Sequence, residues 1–192
     1  MNAGYTEKNI NADVLVIGGG IAGIFAAIKA REQGADVILT DKSYIGKTSG
    51  AHFSEGDIIF FRENRGHIID EWVHTITESS EYLNNRDWDE LVLREAEAKY
   101  NDLVSWGVEF YEEDGKTYIS TQNREDKSIW EDIHMAHMKY MPALREKALE
   151  KGVRLMDRIM VSDLIKQDGK VIGAIGFHTT SGDRHQGCIR GV

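Results

Sequence analysis

The chain has 192 residues, of which 41% are apolar and 29% are charged, and its 19 glycines accompany a single proline. This composition excludes fibrous and intrinsically disordered proteins and is typical of one globular domain with a sizeable core. A formal net charge of −9 without any basic tract argues against nucleic acid as a partner, because such binding relies on lysine and arginine side chains that displace phosphate counterions.

The cellular compartment is indicated by cysteine usage and hydropathy. The single cysteine, Cys188, excludes an internal disulfide and fits a reducing compartment, so a cytoplasmic location is expected. The longest uncharged stretch, residues 14–28, contains four glycines and is shorter than the ~18 residues of a membrane-spanning helix, so no transmembrane segment is expected. Residues 1–12 lack the apolar core of a signal sequence and are expected to form a polar tail.

The first elements form a strand–helix–strand pattern. Residues 13–17 are a nearly continuous apolar run, typical of a strand buried on both faces of a parallel sheet. Residues 21–33 predict a helix that ends at Gly34, and residues 36–40 are a second apolar run. Parallel neighbouring strands need a crossover of about a dozen residues, which this helix supplies. The pattern predicts a βαβ unit.

The middle of the chain is predicted to be helical. Residues 44–61 are interpreted as an ordered loop, and residues 68–79 and 88–106 as amphipathic helices. A hairpin is predicted around 112–116, followed by one long helix over 130–151 that Pro142 is able to kink or divide. Within a domain over residues 13–192, a helical insertion is therefore expected at about 62–130. Four tryptophans flank these helices and are interpreted as core or domain-edge anchors: Trp72, Trp88, Trp106 and Trp130.

From residue 153 the pattern changes to short strands of period two, separated by turns rich in Gly, Asp and Ser. Strands are predicted at 153–156, 159–165, 171–178 and 185–192. This region is expected to form a β-meander.

Three glycines after the first strand carry the strongest functional signal. Gly18, Gly20 and Gly23 form a G-x-G-x-x-G motif that opens the first predicted helix. Gly18 permits the tight turn, Gly20 lets the backbone approach a pyrophosphate, and Gly23 lets the helix pack closely on the strand. The amides of Ile21 and Ala22 stand at the positive end of the helix dipole, where they are expected to face the phosphates.

An acidic residue completes the nucleotide-binding pattern. Asp41 ends the second strand 18 positions after Gly23, where its carboxylate is expected to accept hydrogen bonds from ribose hydroxyls. Lys42 is either solvated or at the border of the adenosine. On the residues alone, a glycine-rich turn without a ligand and an ordinary surface acid at 41 remain open alternatives. Ala27 and Gly34 extend the motif to a longer form typical of flavoproteins, which favours FAD over NAD.

Three blocks of sequence carry a family resemblance over residues 13–192. They are DVLVIGGGIAG at 13–23, TSGAHFSEGDI at 48–58, and GVRLM at 152–156 followed by DGKVIGAIG at 168–176. With them the chain resembles the flavoprotein subunits of the succinate dehydrogenase and fumarate reductase family, which also includes L-aspartate oxidase and the adenylylsulfate reductase alpha subunit. The resemblance implies an α/β fold, a Rossmann-like FAD-binding domain of the glutathione-reductase type with a helical middle segment and a β-meander.

The resemblance also implies how FAD is held. The backbone of Val161 would lie near the adenine. A loop histidine carries FAD covalently in the membrane-bound succinate dehydrogenases, and its position here is Gly50, so non-covalent FAD is expected; His52, two positions away, is the alternative register. Small and polar residues of one loop would run along the pyrophosphate and isoalloxazine: Ser49, Gly50, Ala51, Gly56 and Asp57.

The function implied by the resemblance is that of an FAD-dependent oxidoreductase passing a hydride between flavin and a small, anionic substrate. An iron–sulfur or other electron-transfer subunit is the expected protein partner, through which the cytoplasmic protein would associate with a membrane. Family members continue well beyond the equivalent of Val192, so the chain is expected to be a truncated N-terminal fragment, inactive alone and without the catalytic residues. An NAD-dependent dehydrogenase and a non-catalytic dinucleotide-binding module are the alternatives.

A pair of histidines is the competing candidate site. His134 and His137 would share one face of the predicted 130–151 helix, a spacing compatible with a metal. A metal normally takes three or four protein ligands, and the neighbouring sequence does not supply the others. The pair is therefore interpreted as a polar helix edge, and no metal is expected.

Overall fold

The chain divides into two compact units. The computed structural model describes residues 7–54, 56–123, 129–135 and 140–189. Unit 1 comprises residues 1–54 and 141–192, and unit 2 comprises residues 55–140. Unit 2 therefore includes the place predicted for a helical insertion at 62–130 and extends past it on both sides.

Unit 1 contains a three-stranded parallel sheet. Strand β1 (Glu7–Ala12) precedes β2 (Val14–Ile17), helix α1 (Ile21–Glu32) and β3 (Val37–Thr40). β2 and β3 pair in parallel from Val14↔Val37 to Ile17↔Thr40, so the predicted βαβ unit is confirmed. The third strand, β9 (Arg154–Met156), pairs with β3. Assigning residues 153–156 to the meander was therefore wrong, because three residues are too few for a period to indicate which sheet they join.

The core of unit 1 lies between this sheet and its helices. All four residues of β3 are buried, and Ile24, Ala27 and Ile28 of α1 have no solvent exposure. Helix α4 (Tyr140–Glu150) buries Leu144 and Ala148 completely. A strand covered in this way reads as a continuous apolar run, which is why β3 was recognisable in the sequence.

The second sheet of unit 1 is the predicted meander with one addition. Strands β10 (Ile159–Gln167), β11 (Lys170–His178) and β12 (Arg184–Ile189) pair antiparallel in chain order. Asp168 and Gly169 both have positive φ, as the two-residue turn between β10 and β11 requires. β1 pairs in parallel with β12, so residues 7–12 are a strand rather than part of a polar tail. The strand was missed because Lys8, Asn9 and Asn11 are exposed, leaving few apolar positions.

Unit 2 combines two helices with a small antiparallel sheet. Helices α2 (Ile69–Ser79) and α3 (Arg86–Ser105) confirm the two predicted amphipathic helices. Trp72 and Trp106 are buried as expected, whereas Trp88 is 63% exposed and anchors nothing within the described chain. The side chain of Trp130 lies outside the described residues.

Three strands that the helical prediction did not include form the sheet of unit 2. They are β4 (Asp57–Ile59), β7 (Ile119–Asn123) and β8 (Ile129–His134), in the order β4-β8-β7. The predicted hairpin is present but short, with β5 (Glu112–Glu113) paired to β6 (Lys116–Thr117). The predicted loop over 44–61 contains β4 and a single 3₁₀ turn, Gly50–His52.

The single helix predicted over 130–151 was wrong. The segment contains β8 and α4, and Pro142 lies in the first turn of α4, where a missing amide is tolerated. The inward positions of this strand region are Glu131, Ile133 and Met135, all buried at period two. A glutamate at an inward position hides that period. His134 thus lies at the end of a strand rather than on a helix, and His137 falls outside the described residues.

Glu131 is held by a cluster of cationic and imidazole groups. Its side chain is 2% exposed, and its carboxylate receives Arg65 Nη2 at 2.6 Å and Arg62 Nη2 at 3.4 Å. His67 Nε2 lies 3.5 Å from the same carboxylate, while His67 Nδ1 accepts the Arg62 amide at 3.0 Å. Burial lowers the pKa of His67 and outweighs the opposing charge of Glu131. Neutral His67 therefore fits this site, with Nδ1 as acceptor and Nε2 as donor.

Candidate functional site

The glycine-rich turn between β2 and α1 has the backbone geometry that its sequence predicts. Gly18 has a φ of +108°, a region open to glycine, and its amide donates to the Thr40 carbonyl at 2.8 Å. A Cβ on Gly23 would lie 1.8 Å from the Gly18 carbonyl oxygen. The third glycine is therefore required for α1 to begin directly behind the turn.

The N-terminus of α1 is exposed to a ligand from the solvent side of Gly20. Gly20 is the N-cap residue and no side chain caps the helix, so the first amides, including those of Ile21 and Ala22, lack a capping side chain. The first turn carries no acidic residue that would oppose an anion. Such an end of a helix binds phosphate through its free amides and its dipole.

Ser49 brings the predicted flavin loop beside this helix end. A Cβ built on Gly20 would lie 3.5 Å from Ser49 Cβ, so the two residues are neighbours. Ser49 Oγ is buried and has no hydrogen-bond partner within the described residues. A buried hydroxyl without a partner is unfavourable by about 1–3 kcal/mol, and a bound phosphate oxygen would satisfy it. Gly20 and Ser49 thus fit a pyrophosphate.

Gly50 and Ala51 continue from Ser49 in the 3₁₀ turn Gly50–His52. No atom lies within 4 Å of a Cβ built on Gly50, so the turn has open space at that position. His52 Nδ1 is buried without a hydrogen-bond partner among the described residues, like Ser49 Oγ. One short turn therefore holds two unsatisfied polar atoms.

Asp41 lies where the second strand ends, as predicted, but its carboxylate already binds backbone. Oδ2 accepts the Gly19 amide at 2.7 Å and Oδ1 accepts the Ser43 amide at 2.7 Å. A carboxylate offers about four lone-pair sites, so two remain for ribose hydroxyls. Asp41 thus also orders the glycine turn, a role the sequence did not indicate. Lys42 beside it is exposed.

An ion pair that sequence reasoning missed supports the turn from behind. Arg145 on α4 donates to both carboxylate oxygens of Asp157 at 2.9 and 2.7 Å, and Asp157 Oδ1 also accepts the Ile45 amide at 2.8 Å. Ile45 in turn lies against Gly19, where any Cβ would approach Ile45 Cγ1 to 2.7 Å. The Arg145–Asp157 pair therefore fixes the loop that packs on the glycine turn.

The protonation of Asp157 is set by these contacts. Burial raises the pKa of Asp157, but the hydrogen bonds from Arg145 and the Ile45 amide outweigh it and leave the pKa below its ordinary value. No sequence signal identifies this pair, since a single arginine and a single aspartate 12 residues apart form no motif.

The remaining predicted site residues lie elsewhere. Gly56 and Asp57 belong to unit 2, where a Cβ on Gly56 would approach Met135 Sδ to 2.7 Å and Asp57 pairs with His134 in the β4–β8 ladder. The glycine at 56 is thus explained by packing inside unit 2. Val161 on β10 lines a small apolar cavity in unit 1, together with Leu15 and Ile38.

Two negative findings bear on the competing sites. Among the described residues, no three His, Cys, Asp or Glu side chains are grouped as a metal would require. No helix in the described ranges is long and apolar enough to cross a membrane.

Known proteins share this sequence and fold. The fumarate reductase (CoM/CoB) flavoprotein chain of Methanothermobacter marburgensis is 26% identical over 176 residues, covering 85% of this chain and 31% of the relative. L-aspartate oxidase of Halobacterium salinarum is 26% identical over 176 residues, covering 90% of this chain and 34% of the relative. The apo form of the Mycobacterium smegmatis Sdh1 complex superposes with a TM-score of 0.81 at 24% identity, covering 95% of this chain and 33% of that one.

These likenesses confirm the family resemblance and the α/β fold. The chain spans about a third of the length of the relatives it matches. The family model described as FAD binding domain matches residues 13–192, nearly the whole chain. The chain therefore belongs to the FAD binding domain family, and FAD is the cofactor of that family.

Proposed function

We infer that this chain holds FAD non-covalently and forms the cofactor-binding part of a flavin oxidoreductase. The observation that carries the inference is the uncapped start of α1 beside the unpartnered Ser49 hydroxyl, with no Cβ at Gly20 between them. The amides of Ile21 and Ala22 and the Ser49 hydroxyl would bind the pyrophosphate. Asp41 would accept hydrogen bonds from the ribose while it retains the Gly19 amide.

The other predicted contacts follow the same arrangement. Gly50 and Ala51 would present backbone to the flavin from the turn that begins at Ser49, and Gly56 and Asp57 would contribute from the following strand. Lys42 would border the adenosine, and Val161 would contact the adenine through its backbone. Gly50 offers no nucleophilic side chain at the position where covalent relatives carry histidine, which supports non-covalent binding.

When bound, FAD accepts or delivers a hydride, and the protein contributes its position and electrostatic surroundings. The residues of this chain would fix the pyrophosphate and ribose and so orient the flavin. The substrate is proposed to be small and anionic, in keeping with the names of the fumarate reductase and L-aspartate oxidase relatives. An iron–sulfur or other electron-transfer subunit, and through it a cytoplasmic protein at a membrane, belong to the same proposal.

Purified protein tests the cofactor. We expect a yellow protein whose flavin spectrum moves into the supernatant after acid precipitation, because no covalent bond retains the flavin. Flavin that stays in the precipitate would contradict non-covalent binding and would point to His52. A colourless protein that binds NAD but not added FAD would refute the proposal.

A pair of variants assigns the phosphate site. Gly20→Val places a branched side chain between α1 and Ser49, and it should abolish FAD retention. Gly66→Ala is the control, since Gly66 lies in unit 2 and a Cβ there meets no atom within 4 Å. Equal flavin content in Gly20→Val and wild type would show that the pyrophosphate lies elsewhere.

A further inference from the structure

Unit 2 exposes a cluster of large apolar side chains around the start of α3. Trp88, Leu91 and Val92 recur at i, i+3 and i+4, so they share one side of the helix. Tyr82 and Leu83 lie in the turn that leads into α3 and are 67% and 88% exposed. Large apolar side chains gathered in this way mark an interaction surface more often than isolated ones do. These five residues are called the α3 patch.

The turn that carries the patch is fixed rather than loose. Asn85 Oδ1 accepts the amides of Asp87 and Trp88 at 3.1 and 3.2 Å and caps α3. Asn84 donates to Thr77 Oγ1 at 3.0 Å and also to Asp89. The exposure of the patch is therefore built into the turn.

The backbone of the same turn is strained. Glu81 and Tyr82 have φ values of 51° and 62°, a region that residues other than glycine seldom adopt. Two successive residues of this kind are unfavourable by about 1 kcal/mol or more each. The strain is maintained while Tyr82 and Leu83 stay exposed, so folding of unit 2 alone does not explain the arrangement.

The charge around the patch selects the kind of partner. Residues 78–97 contain seven acidic and two basic side chains, a formal net charge of −5 out of −9 for the whole chain. One of the two bases, Arg94, is already bound to Glu90 and Glu63. Two copies of this surface facing each other would repel, and so would an anionic membrane. A basic contact surface is the complementary one.

We propose that the α3 patch is a docking surface for a protein partner whose contact face is apolar at its centre and lined by lysine or arginine. The apolar side chains would provide the buried centre of the interface, with Trp88 as the aromatic anchor. Glu81, Asp87 and Glu95 would meet the basic rim. This surface lies within unit 2 and its assignment does not depend on flavin binding.

Synthetic helices test the surface without the natural partner. The probe is an amphipathic helix of about five turns with a leucine face and a lysine face, and the matched probe replaces each lysine by glutamate. We expect the lysine probe to bind, to shift Trp88 emission to shorter wavelength, and to weaken as salt screens the charges. We expect the glutamate probe not to bind. Binding of both probes alike, or of neither, would overturn the proposal.

A charge-neutral variant separates the patch from general attraction to an acidic protein. Leu83→Ser with Val92→Ser leaves every charge in place and should weaken the lysine probe about tenfold or more. Leu164→Ser with Val171→Ser, two exposed positions on β10 and β11, makes the same chemical change elsewhere and should leave the affinity unaltered. Equal loss in both variants would refute the assignment.

Two further measurements examine the other occupants. Sedimentation velocity should show no self-association that the Leu83→Ser and Val92→Ser variant abolishes. Phosphatidylcholine vesicles should leave Trp88 emission unchanged. A dimer that dissociates in the variant would make a second copy the occupant, and an emission shift with vesicles would make it a lipid surface; either result overturns the proposal.

Discussion

The third glycine of the turn offers the sharpest test of how sequence determines this site. In Gly23→Ala the new methyl would lie 1.8 Å from the Gly18 carbonyl oxygen, and that oxygen belongs to backbone that cannot rotate away. The turn or the start of α1 must move by over an ångström. Overpacking of this severity is at or above the upper end of about 1–3 kcal/mol, so we expect a melting temperature lower by about 6–12 °C.

Gly20→Ala separates binding from stability. Its methyl would meet Ser49 Cβ at 3.5 Å, an ordinary contact, so the FAD-free protein should lose no more than about 1 kcal/mol. The methyl nevertheless occupies the proposed phosphate position and should lower FAD affinity at least about tenfold. Gly66→Ala supplies the comparison for a methyl that touches nothing, although its left-handed backbone adds about 1 kcal/mol of strain.

The assay is thermal unfolding of FAD-free protein followed by circular dichroism, together with FAD titration by quenching of flavin fluorescence. Gly23→Ala should be impaired in both measurements and Gly20→Ala only in the second. A Gly23→Ala protein that melts with the wild type would refute the close helix–strand approach. A Gly20→Ala protein with wild-type affinity would refute the phosphate position.

Three other changes probe the polar contacts. Asp157→Asn should cost about 1–3 kcal/mol at neutral pH in urea unfolding. Because the folded pKa of Asp157 is lowered, its contribution is complete above the unfolded value of about 4 and is lost as pH falls below it, so the wild-type and variant curves should converge in acid. Neutral His67 likewise contributes stability that is lost as pH falls below about 6.5, and His67→Asn, which keeps an acceptor for the Arg62 amide, should remove that dependence; an unchanged pH profile would contradict it. Asp41→Ala leaves the Gly19 amide without its acceptor and should lower both the melting temperature and FAD affinity, whereas an effect on affinity alone would show that the carboxylate does not order the turn.

The sequence identified elements whose apolar period is intact. β3 is buried along its whole length, and the helix that follows Gly23 is bounded by glycines, so both were recognisable. Glu131 had the opposite effect, since an ionised side chain in an inward position of β8 made a strand read as part of a helix. Burial of that charge depends on Arg62 and Arg65, which are distant in sequence, and no local pattern reports such pairing.

The candidate site divides in the same way. Gly18, Gly20 and Gly23 lie in one continuous segment, so their spacing alone predicts the turn. Arg145 and Asp157 act on that turn from the other end of the chain, and their effect is visible only once Ile45 is seen between them. Local backbone requirements can be inferred from sequence, whereas supports assembled from distant segments cannot.

The division of unit 1 into residues 1–54 and 141–192 constrains the order of events during synthesis. The glycine turn leaves the ribosome early, but Arg145 and Asp157, which hold the loop behind it, follow about 100 residues later. At about 5–20 residues per second the nascent turn waits roughly 5–20 s for its support, while unit 2, a continuous segment, is free to fold in the interval. Closing so long a loop also slows unit 1 relative to unit 2. Cofactor capture should therefore be a late, largely post-translational step, made only after a self-contained insert has formed.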